Sequence, residues 1–254
     1  MSFWSAVAIA LAGTAAGMIN TIVGSGTLIT FPTLLFFGVN PLAANVSNTV
    51  GLVAGGASGA WGYRHELTGQ APTLRRLLPL SFIGSVIGAT LLLVLPPSAF
   101  NAIVPALIGI ALVLVLVGPR IQAWGTRDRH EQPAWHAPVM GAGVLVAGMY
   151  GGYFGAAQGV LLMGLFSALS AEPLQRLNGY KNVLALVVNL VAAVLFVIFA
   201  RQHIDWLVVV LIAAGSALGG VLGASVGRRL PPKGLRAVIV VIGLVAMVKL
   251  IWFP

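Results

Sequence analysis

Apolar runs long enough to enter a bilayer follow one another along the whole chain, separated by short polar connections. They cover Phe3 to Val23, Thr27 to Gly38, Leu42 to Gly62, Leu77 to Leu95, Ala99 to Val117, Pro138 to Tyr153, Gln158 to Leu169, Leu177 to Ala200, Ile204 to Val226 and Leu235 to Phe253. A helix crosses hydrocarbon in about 20 apolar residues. Six of the runs qualify once the first two, and the two between Pro138 and Leu169, are set aside as halves of interrupted runs. The interruptions are Gly24-Ser25-Gly26-Thr27 and Gly155-Ala156-Ala157-Gln158-Gly159. Glycine with serine or threonine is poor material for a continuous helix. Unsatisfied backbone is costly in lipid, so such a break persists only where protein or a watery cavity receives it. The pattern predicts an all-α polytopic membrane protein of about eight helices. Broken helices at matching places in two halves mark the binding site of a transporter.

The halves read as a duplication. Gly17 pairs with Gly148 and Gly24 with Gly155 at a spacing of 131, Pro41 with Pro173 at 132, and Leu95-Pro96-Pro97 with Leu230-Pro231-Pro232 at 135. Chance matches among packing glycines are the alternative, but four matches in register with a slowly growing offset favour a repeat. The expected layout is a single membrane domain over 1–254, with one repeat over 1–118, a charged linker over 119–136 and a second repeat over 137–254.

Charge suggests how the repeats are oriented. Arg64, Arg75 and Arg76 lie in the second connection of the first half, whose Leu95-Pro96-Pro97 connection is uncharged. In the second half the bias reverses: Arg228, Arg229, Lys233 and Arg236 surround Leu230-Pro231-Pro232, and the preceding connection has only Arg201 beside Asp205. Basic loops face the cytoplasm, so equivalent loops face opposite sides, as in an inverted repeat. Each half then has three crossings plus a broken pair that dips in and returns as a hairpin. Eight plain crossings are the alternative, and they would put 63–76 and 227–236 on opposite faces.

Composition agrees with the pattern. Of 254 residues 59% are hydrophobic and 7% charged, and mean hydropathy is +1.00. Soluble domains carry about 25% charged residues. The net charge of +9 is spread singly or in pairs between apolar runs, which suits topology-setting charges rather than nucleic-acid binding. There is no cysteine, so disulfides and thiolate chemistry are absent. His65, His130, His136 and His203 fall in expected connections. With no paired acids, histidine set or metal ligands among the spans, neither an enzyme nor a cofactor is expected. No Lys or Arg precedes Phe3, and the N-terminus reads as part of the fold rather than a signal peptide.

Hairpins entering from opposite faces would bring both breaks near the midplane, where half-helix N-termini present free N–H groups and the positive end of a dipole. Gly24, Ser25, Gly26 and Thr27 on one side, and Gly155 and Gln158 on the other, are candidate ligands for an anion. The alternative is that the hydroxyls bond back to their own helix. The following helices carry Asn45, Ser47, Asn48 and Thr49 in one half and Asn178, Tyr180, Lys181 and Asn182 in the other, of which Asn45, Asn48, Asn178, Lys181 and Asn182 join the candidates. Lys181 is the outlier: an ammonium so deep must snorkel to the cytoplasmic surface or meet an anion. Asn20, Thr21 and Tyr150, just before the breaks, complete the set, with interhelical bonding or packing as their alternative role.

The run Gly17, Gly24-Ser25-Gly26, Pro32, Gly38-Val39-Asn40-Pro41, Ala43-Ala44-Asn45 and Ser47-Asn48-Thr49, with Gly148, Gly155, Gly159 and Pro173 in the second half, resembles the TauE/SafE family. This is the sulfite and organosulfonate exporter family, also called the toluene sulfonate uptake permease family. The resemblance covers nearly the whole chain and implies about eight membrane helices in two repeats that move small sulfur-containing anions or organic acids. Ala156, Ala157 and Gln158 depart from the family's usual glycines, and Lys181 stands where the family often has small hydroxyl residues. The expected function is therefore an inner-membrane secondary transporter of a small anion, most simply sulfite, an organosulfonate or a related sulfur oxyanion. An anion channel or a carrier of another small organic acid are the alternatives. The expected partners are that anion and the lipid bilayer, with no nucleic acid; a homodimer is left open.

Overall fold

A computed structural model describes residues 2–125, 135–225, 234, 237 and 239–245. Among these residues every regular element is helical: α1 (Phe3–Ile22), α2 (Thr27–Phe36), α3 (Pro41–Gly62), α4 (Ala71–Val94), α5 (Pro97–Gly125), α6 (His136–Tyr153), α7 (Gln158–Leu169), α8 (Leu174–Phe199) and α9 (Trp206–Ser225). Single 3-10 turns lie at Arg64–Leu67 and Arg201–His203, and 239–245 is helical. Local chemistry sets several starts. The Ser2 hydroxyl accepts from Ser5 N, Asn40 Oδ1 accepts from Leu42 N ahead of Pro41, and Asp205 Oδ1 accepts from Leu207 N and Val208 N, each side chain meeting donors that the first turn leaves free.

Among the described residues five helices, α1, α4, α5, α8 and α9, are long and apolar enough to cross a membrane. Their outward faces carry Leu91, Ile110, Val113, Val194, Ile198, Val210 and Leu218, all exposed, a surface made for lipid rather than water. The elements differ from expectation at two edges. α4 begins at Ala71, taking Arg75 and Arg76 into its first turns, and α5 runs through Pro119 to Gly125, into the expected linker. Apolar runs mark where lipid is, and a helix can continue into the polar zone beyond. The rest of that linker, 126–134, and the Leu230-Pro231-Pro232 connection with Arg228, Arg229, Lys233 and Arg236 lie outside the described residues.

Each broken pair doubles back on itself. A Cβ at Gly26 would stand 2.4 Å from Ala16 O, and Cβ atoms at Gly151 and Gly143 would meet the side chains of Gln158 and Leu165, so α2 returns along α1 and α7 along α6. Counting each hairpin once leaves seven units from α1 to α9 among the described residues, with the helical stretch at 239–245 after them.

The largest helix contacts join opposite halves of the chain: α1 lies on α9, α4 on α6, α3 on both α8 and α9, and α4 on α8. Glycine makes these crossings close. A Cβ at Gly84 would fall 2.3 Å from Leu145 O and 2.9 Å from Met149 N; one at Gly219 would fall 2.0 Å from Thr14 O and 2.9 Å from Met18 N. Serines bond across them as well: Ser81 Oγ donates to Leu184 O at 3.3 Å, and Ser216 Oγ to Gly51 O at 3.2 Å.

The ends of the bundle hold two cavities. One, of about 260 Å³, is lined by residues including Thr73, Arg76, His136, Ser170, Glu172 and Tyr180. The other, of about 510 Å³, is lined by Asn40, Leu42, Ala43, Pro97 and Gln202 to Asp205. The connections therefore fall into two groups, one around 63–73, 135–136 and 170–173, the other around 38–41, 95–97 and 200–205. His136, expected in a connection, is the first residue of α6 and is buried.

Candidate functional site

Both breaks are built alike. After α1, Val23 N and Gly24 N both donate to Ile19 O; after α6, Phe154 N and Gly155 N both donate to Tyr150 O. These bonds close the helix ends, and they require a left-handed residue at the exit, which Gly24 (φ +90°) and Gly155 (φ +74°) supply without a Cβ penalty. The second break adds Ala157 at φ +63°, the one described non-glycine residue with positive φ.

The two tips meet. Gly159 N donates to Gly24 O at 3.0 Å. A Cβ on either glycine would lie 2.4 Å from the other's Cα, so main chain touches main chain with no room for a methyl group. Behind the contact, Phe31 of α2 packs edge-on against Phe154 of the second break, with ring centroids 5.1 Å apart.

Lys181 reaches this contact from α8. It is 1% exposed, and Nζ donates to Asn20 O at 3.1 Å and Thr21 O at 2.7 Å. Asn182 Nδ2 donates to Thr21 O at 3.3 Å. The ammonium thus sits on carbonyls at the C-terminal end of α1, where the helix dipole is negative and the last carbonyls lack helical partners. The sequence offered snorkelling or a bound anion; the structure gives this side chain a third kind of partner, the main chain of the opposite half.

The other candidates divide by their bonding. Ser25, fully buried, has no partner for Oγ among the described residues, and Gln158, 3% exposed over Gly151, has none for Nε2. Both sit at the tips, one in each half. Asn48 bridges Thr27 and Thr30: Nδ2 donates to Thr27 Oγ1 at 3.3 Å while Oδ1 accepts from the Thr30 hydroxyl. Asn45 Nδ2 donates to Tyr153 O at 3.0 Å, leaving Oδ1 without a partner among the described residues. Tyr150 donates its hydroxyl proton to Ala156 O and so braces the second break. Asn178 is buried, with no partner for Oδ1 among the described residues. The Thr21 hydroxyl bonds back to Gly17 O at 2.9 Å; its carbonyl, not its side chain, faces the site. Gly26 caps α2, and Asn20 likewise contributes a carbonyl.

Thr30 and Gly159 belong with these residues although neither stood among the candidates. Thr30 could have been found one turn after Thr27 on the same helix face. Gly159 is a backbone donor, and residue type says little about where an amide points. Two polar neighbours serve packing instead. Ser47 Oγ accepts from Asp205 N at 2.9 Å, and the Thr49 hydroxyl bonds back to Asn45 O at 2.9 Å.

A helical bundle with five membrane-length apolar helices among the described residues, and with a cluster of buried polar groups where two broken helices touch, is an integral membrane protein of the transporter class. The chain belongs to the sulfite exporter TauE/SafE family, whose pattern matches residues 9–250. It is 25% identical over 237 residues to the probable membrane transporter protein YfcA of Escherichia coli (strain K12), covering 93% of this chain and 86% of that protein. It is 26% identical over 243 residues to a probable membrane transporter protein of Haemophilus influenzae, covering 94% and 92%, and 27% identical over 243 residues to the probable membrane transporter protein ORF9 of a Sinorhizobium species, covering 94% and 89%. No solved structure matches the chain. Family and apolar helices together make it a transporter of the cytoplasmic membrane.

Proposed function

We propose that the protein is a secondary transporter of a small sulfur-containing anion, such as sulfite or an organosulfonate, working by alternating access around the meeting point of its hairpins. The contact between Gly24 and Gly159 is the observation that carries this reading. Buried donors lie beside it: the Lys181 ammonium, whose stem passes Gly159, and, next to the two glycines in sequence, the Ser25 hydroxyl and the Gln158 amide, both without a partner among the described residues. Donors without acceptors in a low-dielectric interior suit an anionic ligand. Contact between the tips closes a straight path between them, which supports a carrier over an open channel. By length α2 rises about 15 Å and α7 about 18 Å, near half of a roughly 30 Å hydrocarbon layer, so each tip would lie at mid-depth.

The halves act, in this reading, as inverted repeats. Matching contacts support the repeat. Gly84 and Gly219 stand 135 apart, and their neighbours Thr14 and Leu145, and Met18 and Met149, stand 131 apart. The Ser81 and Ser216 bonds correspond in the same way, with acceptors Gly51 and Leu184 separated by 133. The charge at the two ends supports inversion: Arg64, Arg75, Arg76 and Arg176 gather around one group of connections, against Arg201 beside Asp205 at the other. The test is a thermal-shift screen of purified protein against sulfite, sulfate, thiosulfate and short sulfonates. At least one should raise the unfolding temperature in a saturable manner; no response to any of them would remove the substrate class.

A further inference from the structure

We infer that the end of α1 stands in for the substrate: the carbonyls of Asn20, Thr21 and Gly24 hold the donors that a singly charged oxyanion would take, so that anion binding and parting of the tips are one event. The inference rests on the anion reading above. All three acceptors belong to the first half of the chain, and both donors, Gly159 N and Lys181 Nζ, belong to the second. Main-chain carbonyls at a helix C-terminus carry together about half a negative charge. An oxyanion offers the same kind of acceptor with a full charge and makes the stronger, charge-assisted bonds.

It cannot take these donors while the tips stay together. With a Cβ on either glycine only 2.4 Å from the opposite Cα, nothing of oxyanion size fits between them. Ser25 Oγ and Gln158 Nε2, buried at the tips without partners, would complete the anion's shell once α1 has moved away. The single buried amine sets the class of ligand. Of the described Lys and Arg side chains Lys181 alone is buried, and its counterpart 133 residues earlier, where Asn45 likewise precedes Asn178, is the neutral Asn48, satisfied by Thr27 and Thr30. One cation balances one negative charge; a dianion would bring a second charge with nothing to meet it.

The test uses the full chain in detergent, with ethanesulfonate as the singly charged probe and sulfate as the doubly charged one. Asn182 supplies the discriminating variant, because its amide holds the end of α1 through Thr21 O. Asn182→Leu removes one bond that must break on binding, so ethanesulfonate should bind about three- to tenfold more tightly, while Lys181→Met should lose binding. Unchanged or weaker binding by Asn182→Leu, with Lys181→Met still inactive, overturns the inference and leaves the anion site standing. Ethanesulfonate binding that survives Lys181→Met overturns it too, as does sulfate binding as tight as ethanesulfonate. No binding of either probe to the unaltered protein removes the anion reading as well. Hydrogen exchange on the unaltered protein is independent of any variant: ethanesulfonate should speed exchange in peptides spanning 20–26 as the tip opens. Slower exchange there, the result of simple occupancy, overturns the inference.

Discussion

A single pair of glycines sets the closeness of the central contact, where main chain meets main chain. Gly24→Ala or Gly159→Ala would drive a methyl into opposing backbone, and each should cost about 1–3 kcal/mol, read as a lower thermal midpoint in detergent; an unchanged midpoint would mean the tips stand further apart. Ala157 makes the opposite prediction. Its left-handed backbone costs an L-residue about 1–2 kcal/mol, so Ala157→Gly should raise the midpoint, whereas Gly155→Ala, at a similar φ, should lower it. Much of this chemistry was legible in the sequence, because glycine beside hydroxyl residues is out of place in an apolar run. The Lys181 partners were not. Sequence names side chains, and here the acceptors are carbonyls that become free only because α1 ends just before Gly24.

At the scale of elements, the helix pairs α1 with α9 and α4 with α6 depend on corresponding glycines. Gly84→Leu and Gly219→Leu should therefore destabilise by similar amounts, about 1–3 kcal/mol each, since both face backbone atoms within 3 Å; a large loss from one and none from the other would break the equivalence. Glycines at three- and four-residue spacing announced close packing, and Pro41 after Asn40 announced the start of α3. Which helices would pair could not be read, because small residues permit approach without naming a partner. The polar cluster on α3 was likewise visible only as a cluster. Asn45 and Asn48 turn toward the breaks while Ser47 turns to Asp205, and a difference of one helix position, about 100° of rotation, decides which.

For the whole molecule, sidedness is the quantity to measure, and a chain without cysteine gives a clean background. Cysteines placed at the exposed positions Thr68, Ser98 and Gln202 should divide under a membrane-impermeant thiol reagent in intact cells. Ser98→Cys and Gln202→Cys should react from outside, and Thr68→Cys only after permeabilisation; labelling of all three from one side would reject the topology. The interleaved packing also bears on how the protein is made. Gly13 and Gly17 of the first helix rest against Ile212 and Ser216 of α9, which a ribosome completes only after seven further helices have emerged. During synthesis the grooved face of α1 must wait in lipid or against a provisional neighbour, so assembly ends with a late exchange of partners rather than growing outward from a finished first half.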